Sequence, residues 1–523
     1  MGVDCVICKN NGDVPGSVIN VSTDNNQKSL LNLSSISNTQ SKPDISSPNK
    51  KNNNNKKPSL KFDKSNFIRM KTKSLFDEYE IKEKLGEGAY GAVYKVQQRT
   101  TLFLRAVKAI KRKHVDSTSF SNEIAVLRTV DYPNIIKLFD CYYDNNYYYM
   151  VEEYCSGGDL FDYIQKQKSF SERKAGIIFK QLISAVNHLH KKKIVHRDLK
   201  PENIVFIKTK QKDDIFIKII DFGTSVSIKH GHLTQELGTI YYIAPEVFKN
   251  KYNEKADVWS CGIILYTMLC GHPPFMGNKE DTIKNKILNS QLTFPEKEFK
   301  NVSKEAIEYI KQLLEYNPDN RLSAESALEN NWLKTMSEKT SDDVILSGDI
   351  ITNLSKFNSI VSLQKATLAF LANQISINQE IQKLKDEFDK IDENKDGEIS
   401  KNELVKCLET MYPYGEAIKK ANEIFAEIDF NNDGSISFSE FLTVNMKKEK
   451  LLNEDMLTKA FKLFDIDGNG YITINELKET MPLQITNNQQ WIDLVKEVDQ
   501  DGDCQISFNE FKDMMEKISN IKQ

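Results

Sequence analysis

The sequence predicts an α+β domain with two lobes, followed by an all-α domain that also has two lobes. Short patterns of alternating apolar and polar residues begin at Tyr79 and give way to long helical patterns from about Ser171, so a strand-rich lobe should precede a helical one. From residue 381, acidic loops recur at spacings of 37, 36 and 34 residues, most of them after an apolar helical pattern. Such a repeat is typical of an array of helix-loop-helix units.

Composition and charge divide the chain into regions with different roles. The 523 residues are 39% hydrophobic and 28% charged, which is ordinary for a soluble protein with several domains. Residues 1–75 carry a charge of +7 and residues 381–523 a charge of −12, whereas the 305 residues between them sum to +2. We therefore predict four regions: a disordered basic extension over 1–75, the two-lobed domain over 76–333, a junction over 334–380 and the helix-loop-helix domain over 381–523.

Composition also excludes several classes of protein. No stretch approaches the roughly 20 apolar residues that cross a bilayer, and the N-terminus has no apolar secretion signal. The eight cysteines are scattered along the chain, which argues against a disulfide framework and favours a reducing compartment. We expect a cytoplasmic monomer that does not bind nucleic acid. Cys5 and Cys8 lack a second pair or a nearby His, so zinc is not expected.

The acidic loops have the ligand pattern of calcium sites. Ca2+ takes six to eight oxygens, and a 12-residue loop supplies them from positions 1, 3, 5, 7, 9 and 12, with a backbone carbonyl at position 7. The predicted ligands include Asp392, Asn394, Asp396, Glu398 and Glu403 in loop 1; Asp429, Asn431, Asp433, Ser435 and Glu440 in loop 2; Asp465, Asp467, Asn469, Tyr471 and Glu476 in loop 3; and Asp499, Asp501, Asp503, Gln505 and Glu510 in loop 4. Ile at position 8 of every loop suits a short strand that pairs two loops. Four regular repeats argue against an accidental acidic surface, and they resemble the four EF-hands of calmodulin.

Loop 4 differs from the other three at its turn. The stretch "DQDGDCQISFNE" has Cys504 at position 6, where a left-handed backbone conformation favours Gly and a side chain costs ~1 kcal/mol. The oxygen ligands of the loop are all present. We therefore expect loop 4 to bind calcium about fivefold to tenfold more weakly than it would with Gly.

The two-lobed domain contains an ordered series of motifs. "LGEGAYGAV" places three glycines in the GxGxxG spacing that lets backbone amides approach phosphates. Next come "RAVKAI" with Lys108, "NEIAVL" with Glu123, "HRDLKPEN", "DFG" at 221–223 and "APE" at 244–246. The order and spacing of these motifs resemble the eukaryotic protein kinase domain over about residues 79–333. The resemblance implies the two-lobed protein kinase fold and the transfer of a phosphate from ATP.

The resemblance also implies which residues carry the reaction. Phosphoryl transfer requires positioning and charge neutralisation more than covalent chemistry. The implied catalytic residues are Asp198, Lys200, Asn203 and Asp221. Asp198 would accept the proton of the acceptor hydroxyl, and Lys200 would lie near the γ-phosphate. Asn203 and Asp221 would bind Mg2+.

The nucleotide site is implied in the same way. Lys108 would bind the α- and β-phosphates and pair with Glu123. The implied nucleotide-binding residues are Leu85, Gly86, Gly88, Gly91, Val93, Lys108, Glu123, Glu153 and Cys155. One residue departs from the family pattern. When Glu153 and Tyr154 are taken as the hinge, Glu152 lies at the back of the adenine pocket, where the family usually has an apolar side chain and where a buried carboxylate needs a partner or a proton.

Two further hypotheses concern activation and substrate choice. In many kinases the HRD arginine, here Arg197, pairs with a phosphorylated activation loop, and Glu236 is near the expected position. Its carboxylate could replace a phosphate, so that calcium becomes the main switch. By resemblance to kinases with basic substrates, Glu202 and Asp159 would contact Arg or Lys shortly before the acceptor Ser or Thr. The alternative is that both are solvated surface charges.

A kinase domain joined to four EF-hands resembles the calcium-dependent protein kinases over everything after about residue 75. The junction contains an apolar stripe at near-helical spacing, formed by Leu354, Phe357, Val361, Leu368 and Leu371. Such a helix could lie in the substrate cleft without calcium and in an EF-hand groove with calcium. The alternative is a structural linker helix.

The N-terminus could attach to a membrane. Gly2 suits myristoylation, but Val6 stands where the acylation pattern has Ser or Thr. Cys5 and Cys8 could be palmitoylated, and the basic segment after them would strengthen attachment. A disordered extension with incidental lysines explains the same residues equally well.

The sequence therefore predicts a calcium-activated serine/threonine protein kinase that uses ATP, Mg2+ and Ca2+. Its substrates would carry basic residues before the acceptor Ser or Thr, and its junction would be an intramolecular ligand of the EF-hand lobes. Two alternatives stand beside this hypothesis. One is a calcium-binding scaffold whose kinase fold only docks partners, and the other is an enzyme whose EF-hands are passive calcium buffers.

Overall fold

A computed structural model describes most of the chain. The described residues are 68, 70–88, 91–208, 214–228, 233–337, 348–356, 362–374, 379–446, 452–481 and 487–517. Most of the predicted basic extension, including Gly2, Cys5 and Cys8, lies outside these ranges. So do Phe357 and Val361 of the junction stripe.

The small lobe of the kinase domain is built on a six-stranded sheet. Its elements are β1 (Met70–Lys71), α1 (Leu75–Glu78), β2 (Tyr79–Gly88), β3 (Gly91–Gln98), β4 (Leu104–Lys111), α2 (Ser117–Thr129), β5 (Leu138–Tyr143) and β6 (Tyr147–Glu153). The strand order is β1-β5-β6-β4-β3-β2. Strands β2, β3 and β4 coincide with the alternating patterns in the sequence. Because side chains alternate across a strand, β4 directs Lys108 to one face of the sheet and packs Val107 and Ala109 in a core on the other.

The folded chain begins before the predicted boundary at residue 76. Strand β1 pairs in parallel with β5, and Ile68 is buried in the same hydrophobic core as Phe120 and Ile124 of α2. The Arg128 guanidinium of α2 also donates a hydrogen bond to the Ile68 carbonyl. The predicted disorder over 1–75 is therefore wrong for Ile68 and residues 70–75. Ile68 alone is enough to anchor the segment in the core, and the two residues of β1 pair with the edge strand β5.

The large lobe is mainly helical. Its elements are α3 (Leu160–Gln167), α4 (Glu172–Lys191), β7 (Ile194–Val195), β8 (Ile204–Phe206), β9 (Ile217–Ile219), β10 (Val226–Ser227), α5 (Lys255–Cys270), α6 (Glu280–Asn289), α7 (Glu296–Phe299), α8 (Lys304–Leu313), α9 (Ala324–Leu328) and α10 (Asn331–Ser337). Helix α5 is almost entirely buried, and α4 is buried over most of its length. The short strand pairs β7 with β10 and β8 with β9 carry the catalytic segments between them.

After α10, the described residues form helices and four short strands. Its elements are α11 (Gly348–Lys356), α12 (Ser362–Gln374), α13 (Gln379–Ile391), β11 (Glu398–Ser400), α14 (Lys401–Glu409), α15 (Tyr414–Ile428), β12 (Ser435–Ser437), α16 (Phe438–Asn445), α17 (Glu454–Phe464), β13 (Tyr471–Ile472), α18 (Ile474–Thr480), α19 (Asn488–Lys496), β14 (Ile506–Ser507) and α20 (Phe508–Glu516). Strand β11 pairs with β12 and β13 with β14. The predicted pairing through position 8 is observed, since Ile399 lies opposite Ile436 and Ile472 opposite Ile506.

The junction helices α11 and α12 belong to the core of the EF-hand domain. Leu354, Leu368 and Leu371 of the predicted stripe are buried there with side chains of all four helix-loop-helix units. Helix α11 packs on α15 and α16, and α12 packs on α16. No helix of the described residues has the length and apolar character needed to cross a membrane.

Candidate active site and cation loops

The centre of the kinase domain is a lysine that contacts two carboxylates. Lys108 Nζ lies 2.7 Å from Glu123 Oε1 of α2 and 2.8 Å from Asp221 Oδ1, which follows β9. Burial alone would lower the pKa of Lys108, but the two carboxylates outweigh it and raise that pKa. Burial alone would raise the pKa of Asp221, but the charge of Lys108 lowers it to about 2. Lys108 and Asp221 are therefore both ionised at neutral pH.

A second cluster surrounds Asp198. Lys200 Nζ lies 2.8 Å from Asp198 Oδ2. Asn203 donates from Nδ2 to the Asp198 carbonyl at 2.9 Å, and Thr239 donates from its amide and its hydroxyl to Asp198 Oδ1, both at 2.9 Å. The carboxylate is thus fixed by charge on one oxygen and by hydrogen bonds on the other, as a positioned proton acceptor requires.

The backbone is strained at one residue in or next to each cluster. Arg197 and Asp221 have φ angles of 71° and 64°, a region that costs a non-glycine residue free energy unless its surroundings hold it. The buried carboxylate of Asp257 in α5 accepts hydrogen bonds from the backbone amides of His196 and Arg197, both at 2.9 Å. Helix α5 thereby fixes the turn that leads into Asp198.

The residues predicted to bind the nucleotide have different surroundings in the structure. Gly91 is required by close packing, because a Cβ there would lie 1.8 Å from the Ala109 carbonyl oxygen, whereas Gly86 and Gly88 face open space. Leu85 is exposed, and Val93 and Cys155 are half-buried. The Glu153 carboxylate is buried and lies 2.7 Å from Lys218 Nζ, so its side chain has a structural role.

The four loops share one backbone conformation. In each, the residue at position 9 caps the following helix and the Glu at position 12 accepts a hydrogen bond from the position 9 amide. The amide at position 6 donates to the aspartate at position 1; these contacts are Gly397 to Asp392, Gly434 to Asp429, Gly470 to Asp465 and Cys504 to Asp499, at 2.8 to 3.1 Å. Position 1 and position 12 carboxylates therefore point into every loop.

The loops fit a divalent cation. In loop 3, oxygens of Asp465, Asp467 and Glu476 lie within 4.8 Å of one another, and in loop 4 those of Asp499, Asp501 and Asp503 do the same. In the first pair of loops, burial raises the pKa of Asp392 to about 7 and that of Glu440 to about 8. Such carboxylates ionise more readily when a cation compensates their charge.

Comparisons with known proteins agree with this geometry. The family of protein kinase domains matches residues 79–333, and that of EF-hand domain pairs matches 381–444 and 454–516. Calcium-dependent protein kinase 4 of Plasmodium falciparum (isolate 3D7) is 39% identical over 486 residues, which cover 90% of this chain and 91% of that protein. The chain belongs to the calcium-dependent protein kinases. Calcium-dependent protein kinase 5 of the same organism is 35% identical over 468 residues, with coverage of 87% and 81%, and calcium-dependent protein kinase 3 of Plasmodium berghei (strain Anka) is 34% identical over 467 residues, with coverage of 87% and 83%.

In this calcium-dependent protein kinase, one hypothesis about the activation loop is wrong. Glu236 does not pair with Arg197 but lies 3.1 Å from Lys284 Nζ of α6. Arg197 instead donates to the Gln235 side chain at 3.1 Å and to the Thr224 carbonyl at 2.5 Å. The prediction from sequence spacing is off by one residue. The path of the activation loop turns Gln235, and not Glu236, toward Arg197.

Several functional contacts of the kinase were missed in the sequence. Thr239, which fixes Asp198, and Lys218, which neutralises Glu153, belong to no motif that we recognised. A signal existed only for Thr239, which stands shortly before the APE motif. His188 and Asn187 near the end of α4 contact loop 1 of the EF-hand domain, a contact that no local pattern indicates.

Glu152 is the chemical departure in the nucleotide site of this kinase. It lies on β6 opposite Ala106, on the same face of the sheet as Lys108, and it is 9% exposed. The described residues provide its carboxyl group with no hydrogen bond. Burial raises the pKa of Glu152 to about 8, against the lowering effect of the Lys108 charge. At neutral pH the side chain is therefore mostly a neutral acid, which removes the problem of an unpaired buried charge.

We predict that Glu152 makes kinase stability fall as pH rises. The folded-state pKa lies above the ordinary value of 4.5, so folding favours the protonated acid and that stability is lost as pH rises through about 8. Between pH 6 and 8.5 the wild type should lose about 2 kcal/mol, or roughly 5 °C of melting temperature, relative to Glu152→Gln, which keeps the shape without the titration. Differential scanning calorimetry of both chains measures this difference, and parallel pH profiles would contradict the prediction.

The structure also sharpens the prediction for loop 4. Cys504 adopts the left-handed conformation, with φ at 63°. We expect Cys504→Gly to raise calcium affinity in the second EF-hand lobe about fivefold, because the strain of ~1 kcal/mol is removed. The reciprocal change Gly470→Cys should lower the affinity of loop 3 by a similar factor, since a Cβ there meets no neighbour within 4 Å. Calorimetric calcium titration tests both, and unchanged affinity in Cys504→Gly would show that strain is not the cause.

Proposed function

We propose that this calcium-dependent protein kinase transfers the γ-phosphate of ATP to serine or threonine hydroxyls of protein substrates. The observation that carries the proposal is the combination of two clusters: Lys108 pairs with Glu123 and Asp221, and the Asp198 carboxylate is fixed by hydrogen bonds. Phosphoryl transfer needs charge compensation around the phosphates and one oriented proton acceptor. A scaffold that only docks partners would have no need for either cluster.

The proposed roles follow from the contacts of each residue. Asp198 accepts the hydroxyl proton of the substrate, because its carboxylate is oriented by Thr239 and Asn203. Lys200, 2.8 Å from that carboxylate, stabilises charge on the transferred phosphoryl group. Asn203 and Asp221 are the oxygen donors that would bind Mg2+, which neutralises phosphate charge when bound. Lys108 binds the phosphates and keeps its alignment through Glu123.

Calcium regulation is proposed to act through the junction. The buried positions of α11 and α12 in the EF-hand core support a model in which calcium-loaded lobes enclose these helices. Gln374 at the end of α12 accepts hydrogen bonds from Arg105 on the outer face of the small-lobe sheet. The junction is therefore connected both to the EF-hands and to the strand that carries Lys108. A linker helix without a regulatory role would not need to be enclosed.

Basic substrates are proposed from two acidic side chains. Glu202 is exposed in the segment between Lys200 and Asn203, whereas Asp159 is half-buried and caps helix α3 through the Asp162 amide at 2.8 Å. Asp159 thus has a structural role, and Glu202 is the better candidate for binding Arg or Lys of the substrate. Membrane attachment through Gly2, Cys5 and Cys8 stays a hypothesis outside the described residues. Membrane partitioning of Gly2→Ala against the wild type tests it.

We predict that a fragment spanning 68–337 phosphorylates a basic peptide without calcium, whereas the full chain needs calcium. The fragment keeps β1 and both catalytic clusters but lacks the junction helices and EF-hands. Activity is measured with calcium and with a chelator, and Asp198→Asn in the full chain should lose it at least a hundredfold. Calcium-dependent activity of the fragment would contradict junction control. Activity of the full chain in chelator would favour passive buffering, and equal activity of Asp198→Asn would favour a scaffold.

A second prediction concerns substrate charge. Glu202→Gln should raise the KM for a peptide with Arg before the acceptor by about fivefold, because one charge-assisted contact of ~1 kcal/mol is lost. The kcat should change little, since Glu202 does not contact the reacting groups. The matched control is the same peptide with Arg replaced by a neutral residue, for which the variant and the wild type should have equal KM values. Equal effects on both peptides would contradict a charge contact.

A further inference from the structure

Loop 1 of the EF-hand domain lies against the kinase domain. Asn187 of α4 donates from Nδ2 to the Lys395 carbonyl at 2.6 Å, and His188 Nδ1 lies 2.7 Å from the Asp396 carbonyl oxygen. Lys192, just after α4, pairs with the Glu398 carboxylate. These contacts join three consecutive parts of the loop to one short stretch of the kinase domain.

His188 has a defined protonation state in this contact. Its Nε2 lies 3.4 Å from the Asp131 amide, which can only donate, and its Nδ1 faces a carbonyl, which can only accept. The ring must therefore carry its proton on Nδ1 alone. His188 is fully buried and stacks on Tyr132, with ring centroids 5.2 Å apart. The neutral ring thus links the kinase backbone to the loop backbone without a buried charge.

A second hydrogen-bonded contact connects the same kinase segment to loop 2. The Asp131 carboxylate accepts hydrogen bonds from the Ser439 amide at 3.2 Å and from the Ser439 hydroxyl at 2.9 Å. Ser439 is position 11 of loop 2, in the first turn of α16. Asp131 and Tyr132 come directly after the end of α2, the helix that carries Glu123.

Close packing makes the contact specific to loop 1. Gly397 at position 6 has φ at 86°, and a Cβ there would lie 2.5 Å from His188 Nδ1 and 2.7 Å from a Tyr132 ring carbon. At the same position of loops 2 and 3, a Cβ on Gly434 or Gly470 would meet no atom within 4 Å. Cys504, at the same position of loop 4, is exposed. Among the four described loops, the turn therefore fits directly onto the kinase surface only in loop 1.

The contact leaves the predicted calcium ligands free. The kinase uses the carbonyls of positions 4 and 5 and the side chain of position 7, whereas calcium would use the side chains of positions 1, 3, 5, 9 and 12 and the carbonyl of position 7. Asp392 and Glu403 already accept hydrogen bonds from the loop backbone, from Gly397 and Asn394. A surface that holds positions 4 to 7 in this conformation reduces the ordering cost of binding the ion.

We propose that Asn187, His188 and Tyr132 form a docking surface for loop 1, and that calcium in loop 1 and docking on this surface strengthen each other. This inference rests on the proposed calcium sites and adds to them a specific coupling. The coupling is reciprocal by linkage: docking raises the calcium affinity of loop 1, and calcium raises the stability of the docked state. Because the surface adjoins the end of α2, calcium in loop 1 also stabilises the helix that positions Glu123.

The main test compares two alanine substitutions in the full chain. Gly397→Ala and Gly434→Ala both introduce a Cβ at a left-handed position 6, with φ at 86° and 90°, but only the first meets the kinase domain. Both are placed in a chain carrying Glu476→Gln and Glu510→Gln, so that calorimetry reports the first lobe. Gly434→Ala should weaken calcium binding about fivefold, from backbone strain, and Gly397→Ala at least tenfold beyond that. Hydrogen exchange should show calcium-dependent protection around residues 187–192 in Gly434→Ala and not in Gly397→Ala.

A variant on the kinase side of the contact tests the coupling without changing the loop, whose own folding the glycine substitutions could disturb. Asn187→Ala should weaken first-lobe calcium binding about threefold to fivefold. Its control Lys191→Ala, which removes a pairing with Glu325 on the kinase domain itself, should leave it unchanged. Equal affinities in the two glycine variants, together with no effect of Asn187→Ala, would overturn the coupling while leaving calcium activation intact. Absence of calcium binding in the wild type would instead overturn the proposed calcium sites and the coupling with them.

Discussion

Three elements of the kinase domain meet at the Lys108 ammonium. The lysine is on β4, Glu123 is on α2 and Asp221 follows β9, so a shift of any one element separates charges that are partly removed from water. Breaking one partner of such a group leaves an uncompensated charge, which costs several kcal/mol. The position of α2 is therefore the variable on which the site depends, because a helix on the outside of a sheet can move more easily than a strand inside it.

Segments outside the matched kinase domain, residues 79–333, also help to fix α2. Ile68 and the Arg128 contact hold one side of the helix, and the residues after its end bind loop 1 and loop 2 through Tyr132 and Asp131. Segments on both sides of the kinase domain in sequence thus converge on one helix. This arrangement gives a physical route from an EF-hand to the Lys108 pair through contiguous packing and hydrogen bonds.

Local patterns were sufficient where chemistry depends on spacing along the chain. The cation loops and the strands around Gly91 follow from residues within about a dozen positions of one another, and each kinase motif is equally short, although the motifs together extend from Gly86 to Glu246. Glu236 shows the limit of local patterns. Its neighbour Gln235 faces Arg197, and the Glu236 carboxylate pairs with Lys284 of the distant helix α6. The contacts of Asn187 and His188 could not be predicted at all, since their partners are backbone carbonyls more than two hundred positions away, and any residue carries a carbonyl.

The turn position of the EF-hand loops shows why the same substitution has different costs in one chain. All four loops place a left-handed residue at position 6, and the backbone penalty for a side chain there is similar in each. In loop 4 the turn is exposed, so a side chain at Cys504 costs only that backbone strain, and the Cys504 amide still donates to Asp499 at 2.8 Å. In loop 1 the turn faces His188 and Tyr132, so a side chain would also have to displace the kinase domain. The tolerance of a loop for a non-glycine residue is thus set by what the loop packs against, and loop 1 is the one whose turn packs directly against the kinase surface.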